Sequence, residues 1–336
     1  MVPTKKEVKL LAGNIIEAGK IELVEVAEPE LPPRRNGEGD IIFQPELGCL
    51  CGSDIPYFQK NDEEFVPEVG HSLHEMIGSV VDTSGDRFKT GDRVLAIPIM
   101  QQGLYERYAI SETRVIPLDP RRPQEQALLA QPLGTAIFAL KKLPPVIDQD
   151  VVVVGQGPMG QLFVAALRNL GARRIIGIDL LESRLEVSPQ MGATHTICSA
   201  QDDPISAVNE ITGGQMADVV IEAVGHEHQQ LNLCIDLCRL AGRILYFGVP
   251  PQVIDGIRWR ELLTKNLTIH TSVNPDFRRD FPLAMQWIGE GRIDVSKIIT
   301  HRFPLTDIQT AFETFRDRKE GALKVLIDFP SGQNSR

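Results

Sequence analysis

The sequence predicts an α/β protein with two parts, a β-rich domain and a doubly wound parallel sheet. Short Val- and Ile-rich runs, separated by Gly, Pro, Asp and Asn, occupy the chain up to about Pro145. From Val151 onward, continuous apolar runs alternate with helix-like segments, which is typical of parallel strands that are buried on both faces. A length of 336 residues suits two domains better than one.

The N-terminal runs predict the strands of a small barrel-like or sandwich domain. They are KIELVEV, DIIFQPEL, IGSVVDT and DRVLAIPI. The stretch EQALLAQPLGTAIFALKKL then predicts one helix, and the Pro-rich LPPVIDQD predicts a domain boundary. We therefore expect a first domain over 1–146, a parallel-sheet domain over 147–273 and a C-terminal segment over 274–336.

Composition excludes several functional classes. The formal net charge of −10 and the absence of a Lys/Arg run argue against a nucleic-acid partner. No stretch of about 18 uninterrupted apolar residues predicts a membrane span, and the first residues lack the pattern of a signal peptide. Five cysteines in a chain of this size do not indicate a disulfide framework. We expect a cytoplasmic protein.

The stretch VVVVGQGPMGQ predicts a dinucleotide site. Gly155, Gly157 and Gly160 have G-x-G-x-x-G spacing between a buried strand and a helix predicted over 160–170. Pro158 and Met159, within this turn, are further candidates for contact with the cofactor. In such a turn the first glycine permits the tight bend, the second lets the backbone approach a pyrophosphate, and the third lets helix and strand pack closely. The phosphates then lie at the positive end of the helix.

Two residues beyond the glycine turn bear on which dinucleotide binds. Asp179 ends the next predicted strand, where a ribose diol needs an acceptor. A carboxylate accepts a hydrogen bond from a 2′-hydroxyl and repels a 2′-phosphate, so Asp179 favours NAD over NADP. Arg184 follows five residues later and is either a stacking partner for adenine or a solvated helix residue.

Two short stretches contain candidate metal ligands. GCLCGSDIPYF holds Cys49 and Cys51, and GHSLHEMIG holds His71, His74 and Glu75. A nicotinamide enzyme that oxidises an alcohol must stabilise an alkoxide, and zinc does this as a Lewis acid. A catalytic zinc needs about three protein ligands and one open position. These residues therefore predict a zinc site.

The ordered motifs of the chain resemble the zinc-dependent medium-chain dehydrogenase/reductase family over nearly the whole length. They are CGSD at 51–54, a His-Glu followed by xxGxVV at 74–81, GDRV at 91–94, GLYERY at 103–108 and GQGPMG at 155–160. The nearest branch resembles sorbitol and threonine dehydrogenases. The resemblance implies a GroES-like catalytic domain, a Rossmann domain, an active site in the cleft between them, and a C-terminal segment that returns to the catalytic domain.

The resemblance also implies a ligand set. Cys51 matches the family's cysteine ligand, and His74 matches its histidine in residue type and spacing better than His71 does. Glu75 matches a carboxylate behind the metal that ligates it transiently. Gln131, in AQPLGTA, stands where the polyol branch has a glutamate. Either Gln131 binds weakly or holds a zinc-bound water, or Glu75 contributes more, or the metal has been lost; we expect a retained zinc.

Catalytic roles follow from the same match. Ser53 matches the hydroxyl that takes the alcohol's proton, and Asp54 matches the carboxylate that orients the histidine ligand. Pro56 stands where the family often has a relay histidine, so the proton must leave by another route, through water or His71.

Later positions match the nicotinamide half of the cofactor site: Val224, Val249 and Ser272. Lys324, in ALKVLI, matches a basic position near the cofactor cleft. The stretch LAIPIMQQ lacks the four clustered cysteines that hold a structural zinc in many relatives, so we expect one catalytic zinc and no structural zinc.

The sequence as a whole predicts NAD-dependent oxidation of a secondary alcohol or polyol to a ketone, or the reverse, with one catalytic zinc. The expected partner is a small alcohol or carbonyl substrate, and the resemblance implies a homodimer or homotetramer. Two alternatives stay open: a zinc-free NAD(P)H-dependent enone or quinone reductase on the same fold, and a non-catalytic dinucleotide-binding protein.

Overall fold

The computed structural model describes residues 9–60 and 66–330. Their contacts divide the chain into two units. The described residues of 1–129 and 299–336 form the first unit, and residues 130–298 form the second.

The first unit begins with β-strands joined by turns. In chain order its elements up to residue 129 are β1 (Leu10–Glu17), β2 (Lys20–Val26), β3 (Asp40–Cys49), α1 (Ile55–Gln59), β4 (Glu75–Thr83), β5 (Arg93–Ala96), β6 (Tyr108–Ser111), β7 (Val115–Pro117) and α2 (Gln124–Leu128). The predicted strand runs all form strands. β1 and β2 pair only with each other as an antiparallel hairpin in the described structure.

The second unit alternates helices and parallel strands. Its elements are α3 (Ala130–Leu140), β8 (Asp150–Val154), α4 (Pro158–Asn169), β9 (Arg174–Asp179), α5 (Glu182–Leu185), α6 (Ser188–Met191), β10 (His195–Cys198), α7 (Pro204–Ile211), β11 (Ala217–Glu222), α8 (Gln230–Leu237), β12 (Cys238–Tyr246), α9 (Trp259–Thr264), β13 (Thr268–Thr271) and α10 (Phe277–Gly289).

The chain then returns to the first unit. The returning elements are β14 (Ile299–Pro304), α11 (Ile308–Arg316) and β15 (Lys324–Asp328). They complete a seven-stranded sheet in the order β14-β15-β3-β4-β5-β7, with β6 paired to β3. The apolar faces of these strands and of α11 share one core, which includes Phe43, Met76, Val80 and Phe312.

The parallel sheet of the second unit has the strand order β10-β9-β8-β11-β12-β13. Counted along the chain this is 3-2-1-4-5-6, the order of a dinucleotide-binding doubly wound sheet. Every residue of the central strand β8, DVVVV, is buried, as expected for a strand covered on both faces. The predicted fold class, a β-rich GroES-like domain with a Rossmann sheet, is confirmed.

Two local predictions were wrong. The stretch predicted as one helix forms α2 and α3, separated at Leu129. In one continuous helix the Pro132 ring would clash with a preceding carbonyl, whereas the break places Pro132 in the first turn of α3, where proline is tolerated. The spacing of four residues between Cys234 and Cys238 predicts that they share a helix; in the structure they are divided between α8 and β12.

The two units meet in the chain after Leu129 and after Ile298, whereas the sequence predicts domain boundaries after residues 146 and 273. Helix α3 belongs to the second unit because it packs closely on α10. At Gly134 the two helices are so close that an added Cβ would lie 2.3 Å from the Phe281 ring. The predicted domain boundaries stay predictions. Within the described residues, no helix is long and apolar enough to cross a bilayer.

The start of β8 provides the first testable prediction. Asp150 is 1% exposed and pairs with Arg173 and Arg174 at 2.8 and 2.9 Å. Burial acts to raise the pKa of Asp150, but the two arginines outweigh burial and hold that pKa below its ordinary value. We expect Asp150→Asn to lower the free energy of unfolding by about 2 kcal/mol near pH 7.

The sign of the pH dependence follows from the lowered pKa. Stability from this carboxylate is present above the unfolded-state pKa of about 4 and is lost as the pH falls through the folded-state value. The stability difference between wild type and Asp150→Asn should therefore shrink below about pH 4. Urea denaturation at several pH values measures it, and a difference that grows toward acid would contradict the assignment.

Candidate functional site

Three of the predicted metal-site residues lie together in the first unit. One ligand atom from each of Cys51, His74 and Glu75 lies within 4.8 Å of the other two. The antiparallel register explains the cluster, because Cys49 at the end of β3 is opposite Glu75 at the start of β4. Cys51 and His74 lie just beyond these paired ends, so the turn after β3 meets the turn before β4.

Asp54 fixes both turns through backbone hydrogen bonds. Its carboxylate is fully buried; one oxygen accepts from the Cys51 amide at 2.8 Å. The other oxygen accepts from the Ser72 hydroxyl at 2.8 Å and from the Leu73 amide at 3.0 Å. We expected Asp54 to orient the imidazole of His74. In this structure its oxygens hold the backbone on either side of the cluster, and its orienting role toward the His74 imidazole stays a prediction.

The two candidate histidines have different surroundings. His74 Nδ1 is buried, and no hydrogen-bond partner for it lies among the described residues. His71 is 2% exposed and packs edge-on against Tyr57, with ring centroids 4.3 Å apart. Burial lowers the pKa of His71, although Asp54 and Glu68 act to raise it. Both imidazoles thus have a buried ring nitrogen, and the feature that separates them is that His74 lies with Cys51 and Glu75 in the cluster.

The two cysteines also differ. Cys49 is fully buried in β3, and burial raises the pKa of its thiol well above the ordinary value. Cys51 is partly exposed and follows the strand. Because zinc binds the thiolate and not the thiol, this contrast favours Cys51 as the ligand.

Ser53 lies beside a segment with unusual backbone geometry. Ser72 and Leu73 have φ of 98° and 65°, and Gln101 has φ of 57°. Residues with side chains rarely adopt such angles, and they persist where surrounding contacts over-determine them. The Ser72 amide donates to the Gln101 carbonyl at 2.7 Å, and Ser53 Oγ lies 3.5 Å from Gln101 Oε1. The turn that carries His74 is thus joined to the side chain that contacts Ser53.

A buried cation lies behind the cluster, and the sequence analysis missed its partner. Lys324 Nζ is 2.6 Å from both carboxylate oxygens of Glu75, and the two side chains are 1% and 0% exposed. Lys324 Nζ also lies 3.4 Å from the Leu50 carbonyl oxygen, and the expected position of Lys324 near the cofactor cleft stays a prediction. Burial raises the pKa of Glu75, and the Lys324 ammonium limits that rise. The sequence signal for this ion pair was a single lysine within the apolar run ALKVLI. A lysine in such a run is expected to be buried, and a buried lysine requires an anionic partner.

Gln131 belongs to the second unit, where it is the second residue of α3 and 7% exposed. Its backbone carbonyl accepts from the Thr135 hydroxyl at 3.1 Å. Its part as a metal ligand stays a prediction.

The glycine turn of the second unit has the geometry that a dinucleotide requires. Gly155 has φ of +90°, which only glycine adopts readily. An added Cβ at Gly160 would lie 1.8 Å from the Gly155 carbonyl oxygen. Gly157 precedes the first turn of α4, which begins at Pro158 and Met159. The first amides of a helix have no partner within the helix, so the start of α4 is suited to a pyrophosphate.

Asp179 is part of the turn itself. Its two oxygens accept from the Gln156 amide at 2.7 Å and the Leu181 amide at 2.9 Å. Arg184 Nη1 lies 3.5 Å from the same carboxylate, and its guanidinium is 3.6 Å from the position of an added Cβ at Gly157. The carboxylate predicted to contact ribose thus also shapes the glycine turn, and a guanidinium lies directly beside it.

The three predicted nicotinamide-side residues occupy different strand ends. Val224 follows β11, is 42% exposed and reaches the glycine turn, where its Cγ2 is 2.8 Å from an added Cβ at Gly155. Val249 follows β12 and is 62% exposed. Ser272 follows β13, and its buried hydroxyl has no partner within the part of the chain that the structure describes. Only Val224 is brought directly to the glycine turn.

Comparison with known proteins agrees with this geometry. A family model described as zinc-binding dehydrogenase matches residues 158–290, which lie within the second unit. L-threonine 3-dehydrogenase from Legionella pneumophila is 24% identical over 330 residues, and the match covers 89% of this chain and 95% of that relative. The chain is therefore similar to the medium-chain dehydrogenase/reductase family. The resemblance predicted from the motifs is confirmed.

Two solved structures have the same fold as this chain. An alcohol dehydrogenase from Escherichia coli CFT073, complexed with NADH, has a TM-score of 0.83 and 20% identity, over 96% of this chain and 99% of that one. A dehydrogenase from Sinorhizobium meliloti 1021, bound to NADP, has a TM-score of 0.85 and 20% identity, over 96% and 100%. The fold therefore accommodates either nicotinamide cofactor.

The buried ion pair makes the second testable prediction. Lys324→Met leaves the Glu75 carboxylate buried without its cation, and we expect a loss of about 3 to 5 kcal/mol of unfolding free energy. The double variant Glu75→Met/Lys324→Met should regain most of that loss, because removing both charges removes the desolvation cost. Urea denaturation in the presence of a chelator measures these differences without a contribution from metal. Equal stability of wild type and Lys324→Met would refute the pair's role.

Proposed function

We propose that this chain uses NAD to oxidise a secondary alcohol or polyol to a ketone, or runs the reverse reaction, with one catalytic zinc and no structural zinc. The observation that carries the proposal is the grouping of Cys51, His74 and Glu75 in a chain that also has the glycine turn with Asp179. Oxidation of an alcohol needs both an acceptor for hydride and a group that stabilises the alkoxide.

The residues of the cluster suit zinc. A thiolate, an imidazole and a carboxylate are the donors that this ion prefers, and the buried, unpartnered Nδ1 of half-buried His74 is consistent with a ligand role. Cys51 and His74 would hold the metal, with Glu75 behind them and Gln131 as a weaker fourth candidate. When bound, zinc supplies the Lewis acidity that lowers the pKa of the substrate hydroxyl.

The chain's own residues then handle the proton and exclude water. Ser53 Oγ accepts the proton that leaves the substrate hydroxyl while its own hydroxyl proton passes on to water or to His71. The contact of Ser53 Oγ with Gln101 Oε1 at 3.5 Å limits the directions the hydroxyl can take. Pro56 carries no proton, so the onward route bypasses it. Val224, which contacts the glycine turn, and Val249 present exposed apolar side chains after β11 and β12. They would exclude water from a bound nicotinamide, and that ring would supply the acceptor for the substrate's hydride.

Assembly and location are proposals of the same kind. We propose a cytoplasmic homodimer or homotetramer that acts on a small alcohol or carbonyl compound. All five cysteines are unpaired, which suits a reducing compartment.

One observation favours the alternative of a zinc-free enone or quinone reductase. Lys324 contacts both oxygens of Glu75, so this carboxylate is already paired. With Gln131 as a neutral amide, only Cys51 and His74 then remain as strong ligands, fewer than a catalytic zinc ordinarily has. The reductase reading leaves the close grouping of Cys51 with His74 unexplained, and for that reason it ranks second.

Metal content decides between the two functions. We expect about one zinc per chain in untagged protein purified without chelators, measured by plasma mass spectrometry. Cys51→Ser and His74→Ala should each lose the zinc, because each removes a ligand. His71→Ala is the matched control: it removes a buried histidine three residues away and should keep the metal.

The contrary results are equally specific. Wild-type protein that holds no zinc even after reloading would end the alkoxide mechanism and leave enone reduction as the reaction to assay. Zinc that survives in His74→Ala but is lost in His71→Ala would move the ligand role to His71.

Cofactor preference gives a separate prediction. The Asp179 carboxylate should make NADH bind more tightly than NADPH by about tenfold or more, because a 2′-phosphate would approach a like charge. Asp179→Asn keeps one side-chain oxygen that can accept a backbone amide of the turn, but it removes the negative charge. The variant should therefore show a smaller difference between the dissociation constants of NADH and NADPH. Fluorescence titration with both reduced cofactors measures it. Tighter NADPH binding by wild type would show that Arg184, and not Asp179, sets the preference.

A further inference from the structure

The loops that follow β11 and β12 are joined by one buried carboxylate. Glu222, the last residue of β11, is fully buried. Its Oε1 accepts from the amides of Val224 and Gly225, each at 2.8 Å, and its Oε2 accepts from the amide of Gly248 at 3.0 Å. Three backbone donors on two loops thus converge on one side chain, which the sequence analysis did not single out.

The two loops also touch each other where no side chain fits. An added Cβ at Gly248 would lie 2.3 Å from the Gly225 nitrogen and 2.5 Å from Glu222 Oε2. Gly225 has φ of +68°, and the next residue, His226, donates its amide to the Val249 carbonyl at 2.7 Å. The contact between the glycines and the carboxylate beneath them fix the relative position of both loops.

This arrangement displays an apolar surface at the carboxyl edge of the sheet. Val224 and Val249 lie on the joined loops, and 42% and 62% of their surfaces are exposed. Val224 also contacts the glycine turn at Gly155. Ligands of open parallel sheets bind at this edge. Asp179 is on β9, on the opposite side of β8 from β11 and β12, so the adenosine and nicotinamide halves fall on different strands.

We propose that Glu222 is a positioning residue for the nicotinamide half of the cofactor: its carboxylate holds the loops after β11 and β12 so that Val224 and Val249 form the surface against which the nicotinamide ring packs. This inference rests on the proposed dinucleotide function and adds a residue that does not itself touch the cofactor. The proposed role of Glu222 concerns the nicotinamide half of the ligand alone, because the glycine turn, Asp179 and α4 would hold the adenosine half.

The test compares a whole dinucleotide with ADP-ribose, which lacks only the nicotinamide ring. In Glu222→Gln the amide NH2 must face at least one of the three backbone donors, so the loops lose a charge-assisted acceptor. We expect the dissociation constant of NADH to rise about tenfold, whereas that of ADP-ribose changes less than about twofold. Isothermal titration calorimetry with full-length protein measures both ligands.

A matched control removes a different buried carboxylate from the same unit. Asp150→Asn lies at the amino end of β8 and should leave both dissociation constants unchanged, although it lowers stability. Gly225→Ala is a second probe should Glu222→Gln fail to fold. Its Cβ would lie 2.8 Å from the Val249 nitrogen, and it should weaken NADH selectively in the same way.

The outcomes distinguish failure of the Glu222 proposal from failure of the proposed dinucleotide function. Selective loss of NADH affinity in Glu222→Gln or Gly225→Ala supports the inference. Equal loss of both ligands assigns Glu222 a merely structural role and overturns it, and so does unchanged NADH affinity. Wild-type protein that binds neither NADH nor ADP-ribose overturns the proposed function, and the inference with it.

Discussion

The buried ion pair between Glu75 and Lys324 is the interaction on which the first unit's site depends. It joins the start of β4 to the start of β15, across β3, directly behind Cys51 and His74. Two charges with 0% and 1% exposure are tolerated only because they neutralise each other. The returning C-terminal strand therefore supplies a charge without which the carboxylate of the cluster would be unpaired.

Carboxylates do similar work elsewhere in the molecule. Asp54 engages the turns around the metal cluster, Asp179 engages the glycine turn, and Glu222 engages the loops after β11 and β12. Each accepts backbone amides from segments with irregular geometry. Loops at functional sites cannot satisfy their amides in a helix or sheet, so a buried acceptor takes that role. Precision at both proposed sites thus depends on side chains that act on the backbone.

The sheet topology places the two chemistries in separate units. The antiparallel pairing of β3 with β4 brings a cysteine and a histidine together from turns about 20 residues apart, while the parallel sheet offers its carboxyl edge to a dinucleotide. Exposed valines at that edge are costly to solvate in isolation. Their exposure is explained if a flat apolar ring covers them during the reaction.

The sequence by itself determined the alternation of strands and helices, the glycine turn and the short motifs, because these depend on local periodicity and on residues that fit few conformations. Only the tertiary structure decided that Lys324 pairs with Glu75, that Asp54 holds backbone amides, and that Glu222 joins two loops. These contacts join residues whose meeting depends on strand order and register, and neither periodicity nor spacing encodes them. The same limit explains why one predicted helix became α2 and α3: its break follows from packing around Pro132 and not from the apolar pattern.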